Sequence, residues 1–325
     1  MKKPLLKSSD YFPQILEMAI DDYHQWADEY FRRVEIRNTI TEPLYHYTGI
    51  TGLEGILKSD SIWFTDYRHL NDPKELLHGL GLAKRMLQRR IKAGDFPSLV
   101  HAWIDDLLNQ RNFGRALEFL IASFTRNGDE LGQWRAYADN ASGVAIGFSP
   151  TLFLPVEAAN KDPRRNVFVG PVLYDDALTR RRHAKGLDVA DKIARDAFKY
   201  AHRHLKHRDI GIEFINRLAR SVIASPLIWN ALTCKHSGYR GEDEVRLVML
   251  GEKRKFRGNI LKRKRGAEVV PYVPYKLQLD RPGSIVEIII GPAAPKTAEA
   301  DVKALLKRHG IKAGVRRSRI PYRTV

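Results

Sequence analysis

Several short apolar segments, each the length of a β-strand, are spread along the whole chain. They read LYHY, SIWFT, LIASFT, GVAIGFS, VFVGPV, EVRLVML and IVEIIIGP. Short runs rich in β-branched and aromatic residues are typical of strands buried in a sheet. Most are separated by one predicted helix, but a long, mostly helical stretch over 178–233 interrupts them. Because such mixed connections do not build a fully parallel sheet, the sequence predicts an α/β (α+β) fold with a mixed sheet.

The N-terminal region predicts a helix ahead of this sheet. Within 14–36, apolar and aromatic residues recur at spacings of three and four, which is typical of an amphipathic helix. The break near 150–166 is short for an interdomain linker. The sequence therefore predicts a helical extension over 1–40 and a single catalytic-type α/β domain over 41–325, with a helical insertion at about 178–233.

The chain is strongly basic. Its 55 Lys and Arg residues against 38 acidic residues give a formal net charge of +17. Such a charge favours a polyanionic partner, with nucleic acid first, an anionic membrane surface second and a phosphate-bearing small molecule third. Charge that serves solubility alone is the alternative. The basic residues expected to contact nucleic acid are Arg180, Arg181, Arg182, Lys262, Arg263, Lys264 and Arg265.

The cysteine, histidine and apolar patterns exclude several classes of site and location. A single cysteine, Cys234, excludes an intrachain disulfide and a cysteine-based zinc site, and it favours a reducing, intracellular compartment. The histidines show no spacing typical of metal ligands, so no metal is expected. The N-terminus lacks the apolar region of a signal peptide, and no apolar run approaches the ~18 residues of a membrane span. The sequence predicts a cytoplasmic protein without membrane association.

Three polar clusters lie on or beside predicted strands, and their order along the chain indicates one kind of chemistry. They are His46-Tyr47-Thr48, Ser123-Phe124-Thr125 and Glu242-Asp243-Glu244. A site that cleaves the glycosidic bond of a dinucleotide needs a group that fixes a ribose, a hydroxyl-bearing strand, and a carboxylate that stabilises oxocarbenium-like charge. Aromatic faces that stack the base complete the site. The aromatic candidates are Tyr47, Trp134, Tyr137 and Tyr239.

Two of the three clusters also have a structural interpretation. Taken alone, His46 is explained as a hydrogen-bonded core residue between packing tyrosines. The acidic cluster is equally explained as a solvated turn paired with Arg240 and Arg246. Trp134 and Tyr137 also fit the packed side of a short helix.

The motifs occur in an order that resembles one bacterial protein family. HYTGITGLEGIL, IWFTD and LNDPKE are followed by ASFT and GDELGQWRAYADNASGVAIGF, and then by HSGYRGEDEVRL, IVEIIIGP and VRRSRIPYR. Over roughly 43–323 the chain resembles the family called domain of unknown function 2971. The family name implies no activity.

A second likeness, to the ADP-ribosyltransferase fold, implies a function. A strand-end His-Tyr, a Ser-x-Thr strand and a Glu-x-Glu before a strand resemble the three-strand signature of that fold. Ser-Phe-Thr replaces its usual Ser-Thr-Ser, and a long helical insertion separates the second and third motifs. The likeness implies that Glu244 is the catalytic carboxylate and that Glu242 orients the substrate. The NAD-binding residues expected on this basis are His46, Tyr47, Thr48, Ser123, Thr125, Trp134, Tyr137 and Tyr239.

The implied protein is an NAD-dependent ADP-ribosyltransferase that modifies a nucleic acid or a nucleic-acid-associated protein. Such an enzyme fits a toxin or antiphage effector, with an inhibitory or defence-system partner protein. Two alternatives stay open. One is a metal-dependent nuclease that uses Asp72, Glu75, Glu242 and Glu244 around magnesium. The other is a nucleic-acid-binding module without catalysis.

Overall fold

The structure is a computed structural model, and it describes residues 12–34, 40–70, 75–109, 117–153, 167–202 and 206–322. The fold class is α+β, as the sequence predicts, with one ten-stranded and mostly antiparallel sheet. The chain divides into two compact units. The helical unit comprises Met1–Val34, Lys74–Phe113 and Asp175–His236, and the sheet unit comprises Glu35–Pro73, Gly114–Tyr174 and Ser237–Val325. The predicted domain boundaries at 1–40 and 41–325 stay predictions.

The helical unit contains the five longest helices of the described residues and one short helix. They are α1 (Gln14–Val34), α3 (Glu75–Ile91), α4 (Phe96–Asn109), α6 (Asp176–Tyr200), α7 (Arg208–Val222) and α8 (Ile228–Leu232). Asp175 caps α6, because its carboxylate accepts hydrogen bonds from the first free N–H groups of that helix. Among the described residues, no helix combines the length and the apolar character needed to cross a membrane.

One glycine brings α3 and α8 together within this unit. A Cβ added at Gly79 would lie 2.6 Å from the Cα of Ala231. Because real side chains do not approach a backbone so closely, only glycine allows the two helices to pack at this distance. The residues that flank Gly79 therefore lie close to the segment that follows α8.

The sheet unit contains all ten strands. They are β1 (Leu44–Thr48), β2 (Ser61–Asp66), β3 (Leu117–Thr125), β4 (Val144–Phe148), β5 (Val167–Pro171), β6 (Glu244–Glu252), β7 (Leu261–Arg265), β8 (Glu268–Lys276), β9 (Ile285–Ile290) and β10 (Gly314–Arg317). The main path through the sheet runs β10-β9-β4-β1-β3-β2-β8-β7, while β6 pairs with β3 and β5 pairs with β6. Only the β9–β10 pair is parallel among these pairings. The helices of this unit are α2 (Ile50–Ser59), α5 (Leu131–Tyr137), α9 (Lys253–Phe256) and α10 (Ala298–Arg308).

The alternation of side chains gives the sheet two different faces. The first face carries the main apolar core, which includes Leu44, Phe124 and Val245. Residues that pair directly across neighbouring strands point to the same side of a sheet. Tyr45 pairs with Thr125, and Thr125 pairs with Glu244, so these three side chains form one row on the second face.

Candidate functional site

β3 has neighbours on both edges, and one of these edges is shared by two strands. β6 pairs with residues 117–125 of β3 and so fills one edge along its whole length. β1 and β2 therefore share the other edge, where β1 pairs at Thr125 and β2 pairs at Ile121 and Leu120. No described strand pairs in register with residues 122–124 on that edge. We call this gap the split.

His46 fills part of the split. Its Nδ1 lies 3.1 Å from the carbonyl oxygen of Ser123, and its ring packs against Phe124 with centroids 5.7 Å apart. A carbonyl oxygen only accepts hydrogen bonds, so Nδ1 carries the proton, and the neutral ring leaves Nε2 as an acceptor. Burial lowers the pKa of His46 below its ordinary value, the hydrogen bond to Ser123 opposes this shift, and the charge of Arg263 adds to it. Burial and the Arg263 charge thus favour the neutral imidazole.

Arg263 on β7 brings a half-buried positive charge to the same region. Its guanidinium carbon lies 4.9 Å from the centroid of the Trp63 ring, and Nη2 is 3.4 Å from the hydroxyl oxygen of Thr65. Its Nε is buried without a hydrogen-bond partner in the described part of the chain. Burial lowers the pKa of Arg263, and the neighbouring Arg265 lowers it further. A desolvated guanidinium that lacks a carboxylate is costly, and a bound anion removes that cost.

Two aromatic rings lie beside this guanidinium. Trp63 packs on Tyr272 with ring centroids 4.4 Å apart, and 40% of the Trp63 surface stays exposed. Thr65 pairs with Ile121 and with Tyr272, so Trp63, Thr65 and Tyr272 share the second face of the sheet. An exposed indole next to an arginine offers both a stacking surface and a charge.

Glu244 and Arg246 form a buried ion pair on the opposite edge of β3. Arg246 donates from Nε to one carboxylate oxygen at 2.8 Å and from Nη2 to the other at 3.0 Å. Their direct neighbours on β3 are Thr125 and Ser123. The backbone N–H of Glu244 also donates to the hydroxyl of Tyr174 at 2.9 Å. The pairing with Arg246 agrees with the structural interpretation of the acidic cluster, but Glu244 is buried rather than solvated.

The second face does not carry every residue of the predicted three-strand signature. Ser123, Thr125 and Glu244 share it, whereas His46 follows Tyr45 along β1 and therefore starts from the first face. The His46 ring nevertheless reaches Ser123, because the split leaves the carbonyl of Ser123 open to it. This contact joins His46 to the backbone of β3, while its ring packs on Phe124 of the first face.

The acidic turn before β6 contacts one of the predicted aromatic residues. The hydroxyl of Tyr137 donates to Glu242 Oε1 at 2.9 Å. Tyr239 lies in the same 3₁₀ turn as Glu242, and 39% of its surface is exposed. Tyr137 and Glu242 are half-buried, so a ligand at the end of β6 can reach both.

Tyr47, Thr48 and Trp134 have structural surroundings. Tyr47 packs edge-on against the fully buried Trp134 with centroids 4.7 Å apart, as the alternative interpretation of the QWRAY segment expects. A Cβ added at Gly52 would lie 2.0 Å from the hydroxyl oxygen of Thr48, which explains the second glycine in HYTGITG. These side chains hold β1, α2 and α5 in position around the site.

We expect Tyr47→Phe to lower the free energy of unfolding by about 1–3 kcal/mol, because buried polar groups lose their partner. The Tyr47 hydroxyl donates to the carbonyl of Asn127 at 2.9 Å and accepts from the N–H of Glu130 at 3.0 Å. Urea titration of both proteins measures the difference. Tyr322→Phe is the control. It removes an exposed tyrosine hydroxyl that donates to Asn140 Oδ1, and it should change the free energy of unfolding by less than about 0.5 kcal/mol. Equal losses in the two variants would contradict this account.

The predicted nucleic-acid-binding residues have different environments. Lys262 and Lys264 are exposed on β7, whereas Arg265 is held by Glu268 at 2.7 Å and by the His69 carbonyl at 2.8 Å. In the helical unit, Arg180 and Arg181 are exposed and Arg182 is half-buried. Lys262, Lys264, Arg180 and Arg181 therefore remain the stronger candidates for phosphate contacts.

The carboxylates of the nuclease alternative are only partly described. Asp72 lies outside the described residues, as does the side chain of Glu75. Glu242 and Glu244 are held by Tyr137 and by Arg246, respectively.

Sequence reasoning missed Trp63, Thr65 and Tyr272, and it assigned Arg263 only to a basic run. The signal for the first two is the alternation in SIWFTD, where Trp63 and Thr65 share one face of the strand and apolar neighbours fill the other. No comparable signal relates Arg263 to them, because β7 reaches β2 only through β8.

We predict that an anion bound beside Arg263 raises the pKa of His46. Burial and the Arg263 charge both disfavour the imidazolium, and an added negative charge favours it. In NMR titrations of ¹⁵N-histidine protein, the His46 resonance, assigned by its loss in His46→Asn, should titrate below pH 6.5 and move to higher pH with inorganic pyrophosphate. An unchanged midpoint at saturating pyrophosphate would exclude Arg263 as an anion site.

Comparison with known proteins finds one family model that matches part of the chain. Residues 133–247 match the model of the protein family of unknown function DUF2971, in agreement with the likeness expected from the motifs. The match includes Trp134, Tyr137, Glu242, Glu244 and Arg246, and it ends before β7. No curated protein and no solved structure matches the chain.

Proposed function

We propose that this protein is an NAD-consuming, ADP-ribosyltransferase-like enzyme that binds the dinucleotide at the split of its sheet. The observation that carries the proposal is Arg263, a half-buried guanidinium that is stacked on the exposed Trp63 and whose buried Nε has no hydrogen-bond partner among the described residues. A pyrophosphate supplies the anion that this arginine lacks, and an aromatic base stacks on the indole.

The neutral His46 supports the ribose-binding role. With Nδ1–H donated to the Ser123 carbonyl, Nε2 accepts a hydrogen bond from a sugar hydroxyl. Thr65 is a second hydroxyl in this region, next to Arg263. Fixing a ribose at both groups lowers the entropic cost of reaching the transition state.

Glu244 is the proposed catalytic carboxylate, and Glu242 is proposed to orient the substrate. In the reaction, the bond between C1′ of the ribose and the nicotinamide nitrogen breaks, and nicotinamide leaves as a neutral molecule. The acceptor then forms a bond to C1′ and releases one proton to water. A carboxylate beside C1′ stabilises the positive charge of the oxocarbenium-like transition state.

The proposed acceptor is a nucleic acid or a protein bound to one. The net charge of +17 and the exposed Lys262 and Lys264 support a polyanionic acceptor. The proposed setting is the cytoplasm, where a toxin or antiphage effector meets its nucleic acid and a partner protein that restrains it.

The test is to incubate the purified full-length chain with NAD, labelled in its adenylate phosphate, and with total cellular nucleic acid and protein. No divalent metal is added. We expect release of nicotinamide and transfer of label to a macromolecule. Intact NAD would overturn the proposal. Degradation of nucleic acid on addition of Mg²⁺ would establish the nuclease alternative, and binding of nucleic acid without any reaction would establish the binding module.

A further inference from the structure

Three potential metal ligands from distant parts of the chain converge in the helical unit. They are His78 on α3, Asp176 at the start of α6 and Cys234 just after α8. One ligand atom from each lies within 4.8 Å of the other two, and His78 Nε2 is 2.9 Å from Asp176 Oδ1. The close packing at Gly79 brings His78 towards the segment that carries Cys234.

From this convergence we infer that His78, Asp176 and Cys234 bind one divalent cation of the Zn²⁺ class. Imidazole, carboxylate and thiolate are the ligand types that zinc prefers, and at bond lengths of about 2.0–2.3 Å tetrahedral ligand atoms lie ~3.3–3.8 Å apart. Small side-chain movements bring the three atoms to that spacing. The expectation of no metal rested on the single cysteine and on the spacing of the histidines along the chain, whereas these three ligands converge from distant segments.

One ligand atom from each side chain lies within 4.8 Å of the other two, so all three can reach the same bound cation. Arg182 is close enough to Cys234 for an electrostatic interaction between the two side chains. Binding transfers the Cys234 thiol proton to water. A further imidazole, His236, lies beside His78 with ring centroids 6.4 Å apart.

The site has both a buried and a solvent-facing side. Cys234 is buried, whereas the side chains of His78 and Asp176 are 30% and 40% exposed. An ion reaches the three ligands from the exposed side, and a water molecule completes a four-coordinate shell. The bound ion cross-links α3, α6 and the end of α8, so it stabilises the helical unit.

The experiment measures metal in the full-length chain after reconstitution with Zn²⁺ and removal of excess, and then the absorption spectrum with Co²⁺. We expect one zinc per chain, and with cobalt the charge-transfer band of a thiolate ligand and the visible bands of a tetrahedral site. Cys234→Ser and Asp176→Asn should each weaken zinc binding by more than about 100-fold. His207→Ala, which removes an exposed imidazole of the same unit, should bind as the parent does.

Two results would overturn the inference. One is a parent protein that takes up no zinc and shows no cobalt–thiolate band. The other is a Cys234→Ser protein, folded by circular dichroism, that keeps both. If Cys234→Ser does not fold, the half-exposed Asp176→Asn decides in its place, because the cap Asp175 remains intact. The zinc and cobalt measurements contain no NAD. Their outcome is therefore independent of the outcome of the NAD assay.

Discussion

Glu244→Gln is expected to lower NAD cleavage by at least about 100-fold, because removing one group that stabilises the transition-state charge has effects of this size. The change is nearly isosteric, but it also removes the negative charge from the buried pair with Arg246. Breaking a buried ion pair costs about 3–5 kcal/mol of stability. Nicotinamide release at saturating NAD and the urea midpoint therefore have to be measured together.

A second substitution separates catalysis from stability. Replacing both members of a buried ion pair often restores stability, so Glu244→Gln/Arg246→Met should unfold near the parent midpoint and stay inactive. Recovery of activity in the double variant would show that Glu244 acts only through the fold. Glu287→Gln is the matched control, because Glu287 on β9 also forms an ion pair with an arginine, Arg316, at 2.8 Å. This variant should keep full turnover.

Arg263→Gln is expected to weaken NAD binding by about 10- to 100-fold, since a charged hydrogen bond to a phosphate contributes about 1.5–3 kcal/mol. The loss should fall on Kd, measured by calorimetry, and the same variant should lose the effect of pyrophosphate on His46. Lys264→Gln is the matched control. It removes the same charge from the next residue of β7, which is exposed and points to the other side of the strand.

The two variants also distinguish a specific site from general electrostatics. If the net charge of the chain attracts NAD, Arg263→Gln and Lys264→Gln should weaken binding equally and both effects should fall with salt. If the split is the site, only Arg263→Gln has a large effect. Equal effects would remove Arg263 from the proposed mechanism.

Most strands and the fold class could be predicted because each depends on a local pattern, whereas β7 and β8 are not among the predicted strand segments. The segments of β3, β4, β6 and β9 are apolar enough to be predicted as strands, and the apolar residues of α1 and α10 have the spacing of a helix. The motif order also led to the family that matches residues 133–247. The roles of His46 and Glu244 stay predictions.

What the sequence could not provide was the pairing between distant strands. The split exists because β1 and β2 both dock on one edge of β3, and no local pattern encodes that choice. The same limit applies to Arg263, which reaches Trp63 across β8, and to Cys234, whose neighbours come from two other helices. Trp134 was expected to bind a ligand from its aromatic side chain alone, but it is fully buried in the core.

The position of β6 in the sheet has a consequence for synthesis of the protein. β3 emerges from the ribosome before β6, which pairs with it along residues 117–125. β6 follows only after the helical segment Asp175–His236 has been made. Pairings between strands so distant in sequence form slowly, because the intervening chain must close first. Until then β3 lacks one neighbour and the chain lacks both Glu244 and Arg263. We therefore expect a chain truncated before β6 to cleave no NAD, because it lacks the proposed site residues Glu244 and Arg263.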